Sequence, residues 1–290
     1  MAERSGMVEN RPGLTLLAHV VLILGVAIVA FPVWLTFVAS THSAEQIAQS
    51  RPMSLLPGQH LVQTYRVALF GGVTSAGGRI PAAADMLWVS FVSAMVIALG
   101  KIAISLLSAF AIVYFRFPLR KAVFWLVFVT LMLPVEVRIG PTYEVVAQLH
   151  LLNTYAGLTV PLIASATATF LFRQFFLTVP EELTEAARID GAGPLRFFRD
   201  VLLPLSATPI AALFVIQFIY GWNQYLWPLL VTTNETLYPV VLGIKRLVAG
   251  EAYTEWNVVM ATAMLAMLPP ALVVLLMQRW FVKGLVDAEK

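Results

Sequence analysis

Glu185-Ala186-Ala187-Arg188-Ile189-Asp190-Gly191, running on through Gly193-Pro194 to Leu203-Pro204, forms a polar island between long apolar runs. Thr178-Val179-Pro180-Glu181 predicts the start of a helix, with a hydroxyl for the cap, Pro in the first turn and Glu placed to reach back. Glu181 and Glu182 suit the positive end of that helix's dipole. Ala186, Ala187 and Gly191 leave a narrow face almost free of side chains, on which another surface can approach the backbone closely. Gly191-Ala192-Gly193-Pro194 ends this helix and begins a second one. There Leu195, Phe198, Val201 and Leu202 recur at helical spacing toward the bilayer or the bundle, with Arg196, Arg199 and Asp200 toward water. Two short helices at an angle make a knob shaped to enter a cleft on another protein.

The sequence around the island is 59% hydrophobic and 12% charged, against about 25% charged for a soluble domain. Its apolar runs exceed the ~18 residues that mark a spanning helix. The expected fold is therefore all-α and polytopic, with six transmembrane helices at about 14–39, 86–113, 122–139, 155–172, 205–230 and 256–282. A short inner segment (1–13), an outer loop (41–85), the inner island (178–204) and an inner tail (283–290) complete the expected plan. The first run is too long for a signal peptide and lacks a small-residue cleavage site, which makes it an anchor. Met7-Val8-Glu9 reads like a natural start, with Met1 to Gly6 as an extension.

Basic residues decide the orientation. Arg4, Arg11, Arg116, Arg120, Lys121, Arg173 and the arginines of the island share one side with the basic residues of the C-terminal end. Arg51, Arg66, Arg79, Lys245 and Arg246 fall on the other. The excess places the island and both termini in the cytoplasm. A net charge of +3 is no nucleic-acid footprint, the absence of cysteine rules out a disulfide framework, and four scattered histidines suggest no metal cluster.

Several polar residues interrupt the expected spans. Lys101 lies within the second; an intramembrane Lys costs about 2.5–3.5 kcal/mol on insertion scales, so it should face the bundle interior or water. It either meets a substrate phosphate or pairs with a partner subunit's carboxylate. Glu136 and Arg138 lie at the outer edge of the third span, two apart and so pointing in different directions on a helix. Irregular backbone after Pro134 is tolerable where it lines a cavity. Arg138 either forks onto a phosphate or snorkels at the interface. Asn223 and Gln224 need partners across the bundle or from a permeating solute, while Trp227 fits an interfacial belt. Ala, Ser and Thr at 164–169 permit close helix packing, and Pro269-Pro270 should kink the last span.

The island resembles the cytoplasmic coupling loop of the membrane subunits of bacterial ABC importers. That pattern is Glu-Ala-Ala, three residues, Gly, nine residues, then Ile-x-Leu-Pro. It stands here as Glu185-Ala186-Ala187, Gly191 and Val201-Leu202-Leu203-Pro204, with Val201 in place of Ile. The similarity extends over nearly the whole chain and is narrowest to permeases of sn-glycerol-3-phosphate importers, relatives of the maltose permeases. Leu131 to Arg138, Ala164 to Phe176 and Gly221 to Leu230 carry that narrower likeness.

The resemblance implies a type I importer permease that forms half of a pore for sn-glycerol-3-phosphate and related glycerophosphodiesters. It also implies a second permease, two ATP-binding subunits and a periplasmic binding protein. Glu185, Ala186, Ala187, Asp190 and Gly191 would contact the ATPase, with Arg188 as supporting charge and Pro204 closing the motif. No Gly-x4-Gly-Lys-Ser/Thr loop occurs in the chain, so ATP and Mg would be used by the partner, with no cofactor bound here. Three rival readings stand beside this one: a sugar or oligosaccharide importer, an intramembrane enzyme, and a passive channel. No paired-Asp, His-Glu-x-x-His or Gly-x-Ser-x-Gly run supports the enzyme.

Overall fold

The computed structural model describes residues 12–49, 54–74, 77–130, 133, 135–249 and 254–287. The proposed extension at Met1 to Gly6, Arg4, Arg11, Arg51 and the last three residues lie outside the described set. Three described helices are long and apolar enough to cross a membrane, or up to five if each bent pair is one span. The long ones are α1 (Pro12–Ser40), α4 (Ala83–Tyr114) and α15 (Trp256–Asp287). One bent pair is α7 (Tyr155–Ile163) with α8 (Ala166–Phe176), turned by 43°. The other joins the segment Pro194–Leu205 to α12 (Ala207–Trp222) through 72°.

Between α1 and α4 the segment expected as an outer loop carries α2 (Ala44–Gln49), α3 (Leu61–Phe70) and a small antiparallel hairpin, β1 (Gly72–Val73) with β2 (Arg79–Ile80). The hairpin was not expected from the sequence; its strands are too short to show a period-2 pattern. The expected third span is interrupted: α5 (Arg120–Val129) ends before α6 (Val135–Gln148). The expected fifth span is likewise divided, into α12 and α13 (Leu226–Val231). A 3₁₀ turn (Glu235–Leu237) and α14 (Val240–Ala249) then lead to α15, which continues as helix through Pro269 and Pro270. Hydropathy sums report apolarity and not continuity, so they pass over such breaks.

α4 and α12 form the centre of the bundle. Gly221 on α12 faces Ala94 on α4 so closely that an added Cβ would lie 2.9 Å from the Ala94 Cα. Small residues at a crossing let helix backbones approach where no hydrophobic effect drives association. Trp222, Phe218, Ala94 and Ala98 pack around that crossing. By contrast α1 keeps its apolar side chains exposed over most of its length, Val29 at 76% and Ile28 at 71%. Those faces meet lipid or another chain, since exposed apolar surface of that extent has no place in water.

One end of the bundle is tied by Asn153, which holds a left-handed backbone at φ 56°. Its side-chain oxygen accepts from the Thr233 and Asn234 N–H groups at 2.7 and 2.9 Å, and its own N–H donates to the Val231 carbonyl. Asn tolerates this conformation where branched residues do not. Replacing Asn153 by Val should therefore lower stability by about 2 kcal/mol, read as a fall in thermal midpoint of the purified membrane complex; an unchanged midpoint would show that the clamp carries no weight.

Candidate functional site

Two features stand out, a polar knob at one end of the bundle and a cavity within it. The knob begins with α9 (Glu181–Ile189). Its N-cap position is Pro180, without a side-chain cap. Thr178, expected to cap this helix, instead donates its hydroxyl to the Phe175 carbonyl and finishes α8. The far end closes as a Schellman motif: Ala192 N–H reaches the Ala187 carbonyl at 2.8 Å, Gly191 N–H reaches that of Arg188 at 3.0 Å, and Gly191 sits at φ 70°. Glycine is required there for the positive φ and not for space within the chain, because a Cβ on Gly191 would meet nothing within 4 Å.

Glu185, Ala186, Arg188, Asp190 and Gly191 are exposed, whereas Ala187 is 9% exposed and packs into the core. The bare face expected to include Ala187 is thus made by its neighbours, and Ala187 faces the bundle. Two exposed apolar side chains join that outer face, Ile189 at 86% and Leu195 at 76%. Leu195, read as facing the bilayer or the bundle, does not pack into the bundle, where Phe197, at 5%, is buried.

The cause is a change of helical period. α10 (Pro194–Phe197) passes into a π-helical turn (Phe198–Leu202) and a last turn, α11 (Leu203–Leu205). Pro204 is exposed and has no N–H to bond the carbonyl four residues back, which favours the wider turn. Asp200 holds Arg199 at 2.7 Å and Arg196 at 3.5 Å on the water side. The hydrogen bond from Arg199 keeps the Asp200 carboxyl below its usual value. Its contribution is therefore present above the unfolded pKa and lost as pH falls through the folded one, and it is small because the pair is solvated.

What fixes the knob to the bundle is apolar. Ala187, Phe197 and Leu202 share one core with Ile102, Phe110, Phe172, Phe176 and Leu213. The Tyr114 and Phe197 rings lie 5.3 Å apart, those of Phe110 and Phe198 4.9 Å. Close-packed interiors transmit displacement, so force on the knob passes directly to α4, α8 and α12.

The cavity, of about 540 Å³, lies where the three interrupted helices converge. Thr130 and Leu133 come from the α5–α6 break, Ala164 and Ser165 from the α7–α8 break, and Gln224 and Leu226 from the α12–α13 break. Non-helical backbone at membrane depth is tolerated where it lines a cavity. Lys101 reaches this space although it is only 6% exposed, donating to the Gln217 Oε1 at 3.0 Å, with its ammonium 3.6 Å from the Tyr220 ring centre.

Of the polar residues singled out in the sequence, Lys101, Arg138 and Gln224 line the cavity together. Glu136 lies on α6, but its side chain is outside the described residues. Asn223 is exposed and is absent from the lining. Asn223 and Gln224 both follow the end of α12 at Trp222, in the turn before α13, where only Gln224 reaches the cavity. Gln217 and Tyr220 were missed, yet they stand at i and i+3 on α12, and Gln224 follows in the break, donating its amide N–H to the Tyr220 carbonyl at 3.0 Å. Trp227, read as part of a belt, is 4% exposed and donates its indole N–H to the Gly157 carbonyl at 3.0 Å, at the cavity wall.

Taken together these features define a helical membrane permease whose interrupted helices enclose a polar cavity and whose polar knob is packed into the same bundle. A crystallised bacterial ABC transporter involved in import of the acidic polysaccharide alginate shares the fold, at TM-score 0.74 and 20% identity over 97% of this chain and 99% of that one. Residues 101–287 match the family described as binding-protein-dependent transport system inner membrane component, and the chain belongs to it. It is 63% identical to the sn-glycerol-3-phosphate transport system permease protein UgpE of Brucella melitensis, covering 98% of this chain and all of that protein. The proteins of the same name from Agrobacterium fabrum and Escherichia coli are 61% and 58% identical over the same coverage. The chain is accordingly an inner-membrane transport component and not an enzyme, and it works with other members of a transport complex.

Proposed function

We propose that this chain forms half of the translocation pore of an ATP-driven importer for sn-glycerol-3-phosphate and related glycerophosphodiesters. Its partners in this reading are a second permease, two ATP-hydrolysing subunits that use ATP and Mg, and a periplasmic binding protein. The observation that carries the reading is the shared apolar core joining the knob to α4, α8 and α12. Glu185, Ala186, Asp190 and Gly191 contact the ATPase, Arg188 supplies charge, and Ala187 and Pro204 set the knob's attitude. Closure of the motor moves the knob as a rigid body, and the bundle rocks about the cavity to give alternating access. Lys101, Arg138 and Gln224 belong to the pathway. The names of the relatives support the cargo.

The complete complex in proteoliposomes tests this. sn-Glycerol-3-phosphate, presented with the binding protein, should stimulate ATP hydrolysis and accumulate inside; stimulation by a sugar or oligosaccharide instead would overturn the cargo assignment. Orientation has its own test, made clean by the absence of native cysteine. A membrane-impermeant maleimide should label Val62→Cys on the outer α3 in intact spheroplasts, and Ala186→Cys only after permeabilisation. Labelling of Ala186→Cys in sealed cells would reverse the topology.

A further inference from the structure

We propose that the cavity is a subsite for a phosphomonoester, so that this chain itself holds the anionic end of the cargo. The inference deepens the importer reading and rests on it. Among the described lining residues the charged groups are Lys101 and Arg138, both cationic. The hydrogen-bond acceptor that meets Lys101 is a neutral amide, which orients the ammonium without cancelling its charge. One of its three N–H donors is thus occupied.

A third donor set comes from α8, whose first turn opens on the same space. Ser165 caps that helix: its hydroxyl oxygen accepts from Ala168 N–H and its carbonyl from Thr169 N–H. Helix geometry leaves the N–H groups of Ala166 and Thr167 without an acceptor inside the helix, and both residues line the cavity. A broken membrane helix presenting its positive end to an anion is a recurrent transporter device. Lys101 as a mobile point charge, Arg138 as a planar fork and two backbone N–H groups match the several oxygens of a phosphate dianion. Leu133, Leu162 and Leu226 offer apolar contact to a short carbon chain. Gln217 holds Lys101 when the site is empty and gives it up when cargo enters, which keeps binding weak enough for release.

The test compares uptake of sn-glycerol-3-phosphate with uptake of its choline diester, which lacks the second ionisable oxygen, using the whole complex in proteoliposomes. Lys101→Gln should lower the monoester-to-diester uptake ratio by about tenfold or more, and Lys101→Arg should restore part of it. Gln217→Glu, nearly isosteric, should lock Lys101 in an ion pair and lower the same ratio while ATP hydrolysis still responds to the loaded binding protein. Arg138→Gln, at an exposed position, provides a variant that does not disturb a buried contact and should act in the same direction. A merely structural role would depress both cargoes equally, and that result, or an unchanged ratio in the Gln217→Glu and Arg138→Gln complexes, would overturn the subsite. Failure of the unmutated complex to import the monoester would instead refute the cargo assignment, before any variant is compared.

Discussion

Gly191→Trp should leave the chain inserted and folded while lowering uptake by at least about tenfold, with ATP hydrolysis no longer stimulated by the loaded binding protein. Apart from its own neighbours in sequence, nothing in the chain lies within 4 Å of the position a Cβ would occupy, so the new side chain starts into open space. The internal penalty is the left-handed backbone at φ 70°, about 1–2 kcal/mol for a residue other than glycine. That is too little to unfold a helix end anchored through Ala187 and Phe197. The remaining effect must come from outside, from whatever surface comes down on the knob. Gly191→Asn separates the two contributions, since Asn accepts the conformation and is small. It should retain most transport, and Trp should not. Normal uptake by the Trp variant would mean that no partner approaches this face, and the coupling role would have to be placed elsewhere.

The knob was legible in the sequence because its signals are local. Gly-Ala-Gly-Pro after a polar helix needs only backbone geometry to be read, and the structure turns it into a Schellman end followed by a second helix. Which side of that helix faces the bundle was not legible. Ala186 and Ala187 are chemically identical, and only the position of α9 over Phe172 and Phe176 decides that Ala187 is the buried one. The π-helical turn added a second shift, bringing Phe197 rather than Leu195 onto the bundle face. Strict 3.6-residue periodicity does not anticipate it.

Inside the membrane the same distinction holds. Lys101 and Arg138 were visible as expensive residues, but their convergence depends on α6 beginning anew after the break and on α12 presenting Gln217 to α4. Two of the three breaks lie in Ala-Ser and Asn-Gln-Tyr stretches whose composition is compatible with packing, polarity or interruption alike. Tertiary placement chose interruption, and it chose it at one place in space.

The crossing of α4 and α12 is where fold and pathway depend on the same atoms, and Gly221→Val should damage both. The added Cβ would sit 2.9 Å from the Ala94 Cα and 3.4 Å from its carbonyl oxygen and from the Ile97 Cβ. No side-chain rotation relieves a contact with backbone, so the helices must separate. Overpacking of this kind costs about 1–3 kcal/mol, and a β-branched residue sits at the upper end. Gln217 lies one turn earlier on α12, and its 3.0 Å bond to Lys101 spans the same interface. Separation therefore breaks that pair and opens the cavity wall. The expected result is a lower thermal midpoint for the purified complex together with lost uptake, while Gly25→Ala, with nothing within 4 Å, changes neither. Adding Ala94→Gly should not rescue the variant, because the obstruction is the Ala94 backbone and not its methyl group. Recovery of stability in that double variant would show that the helices are held at side-chain distance, and the account of a backbone-to-backbone crossing would be wrong.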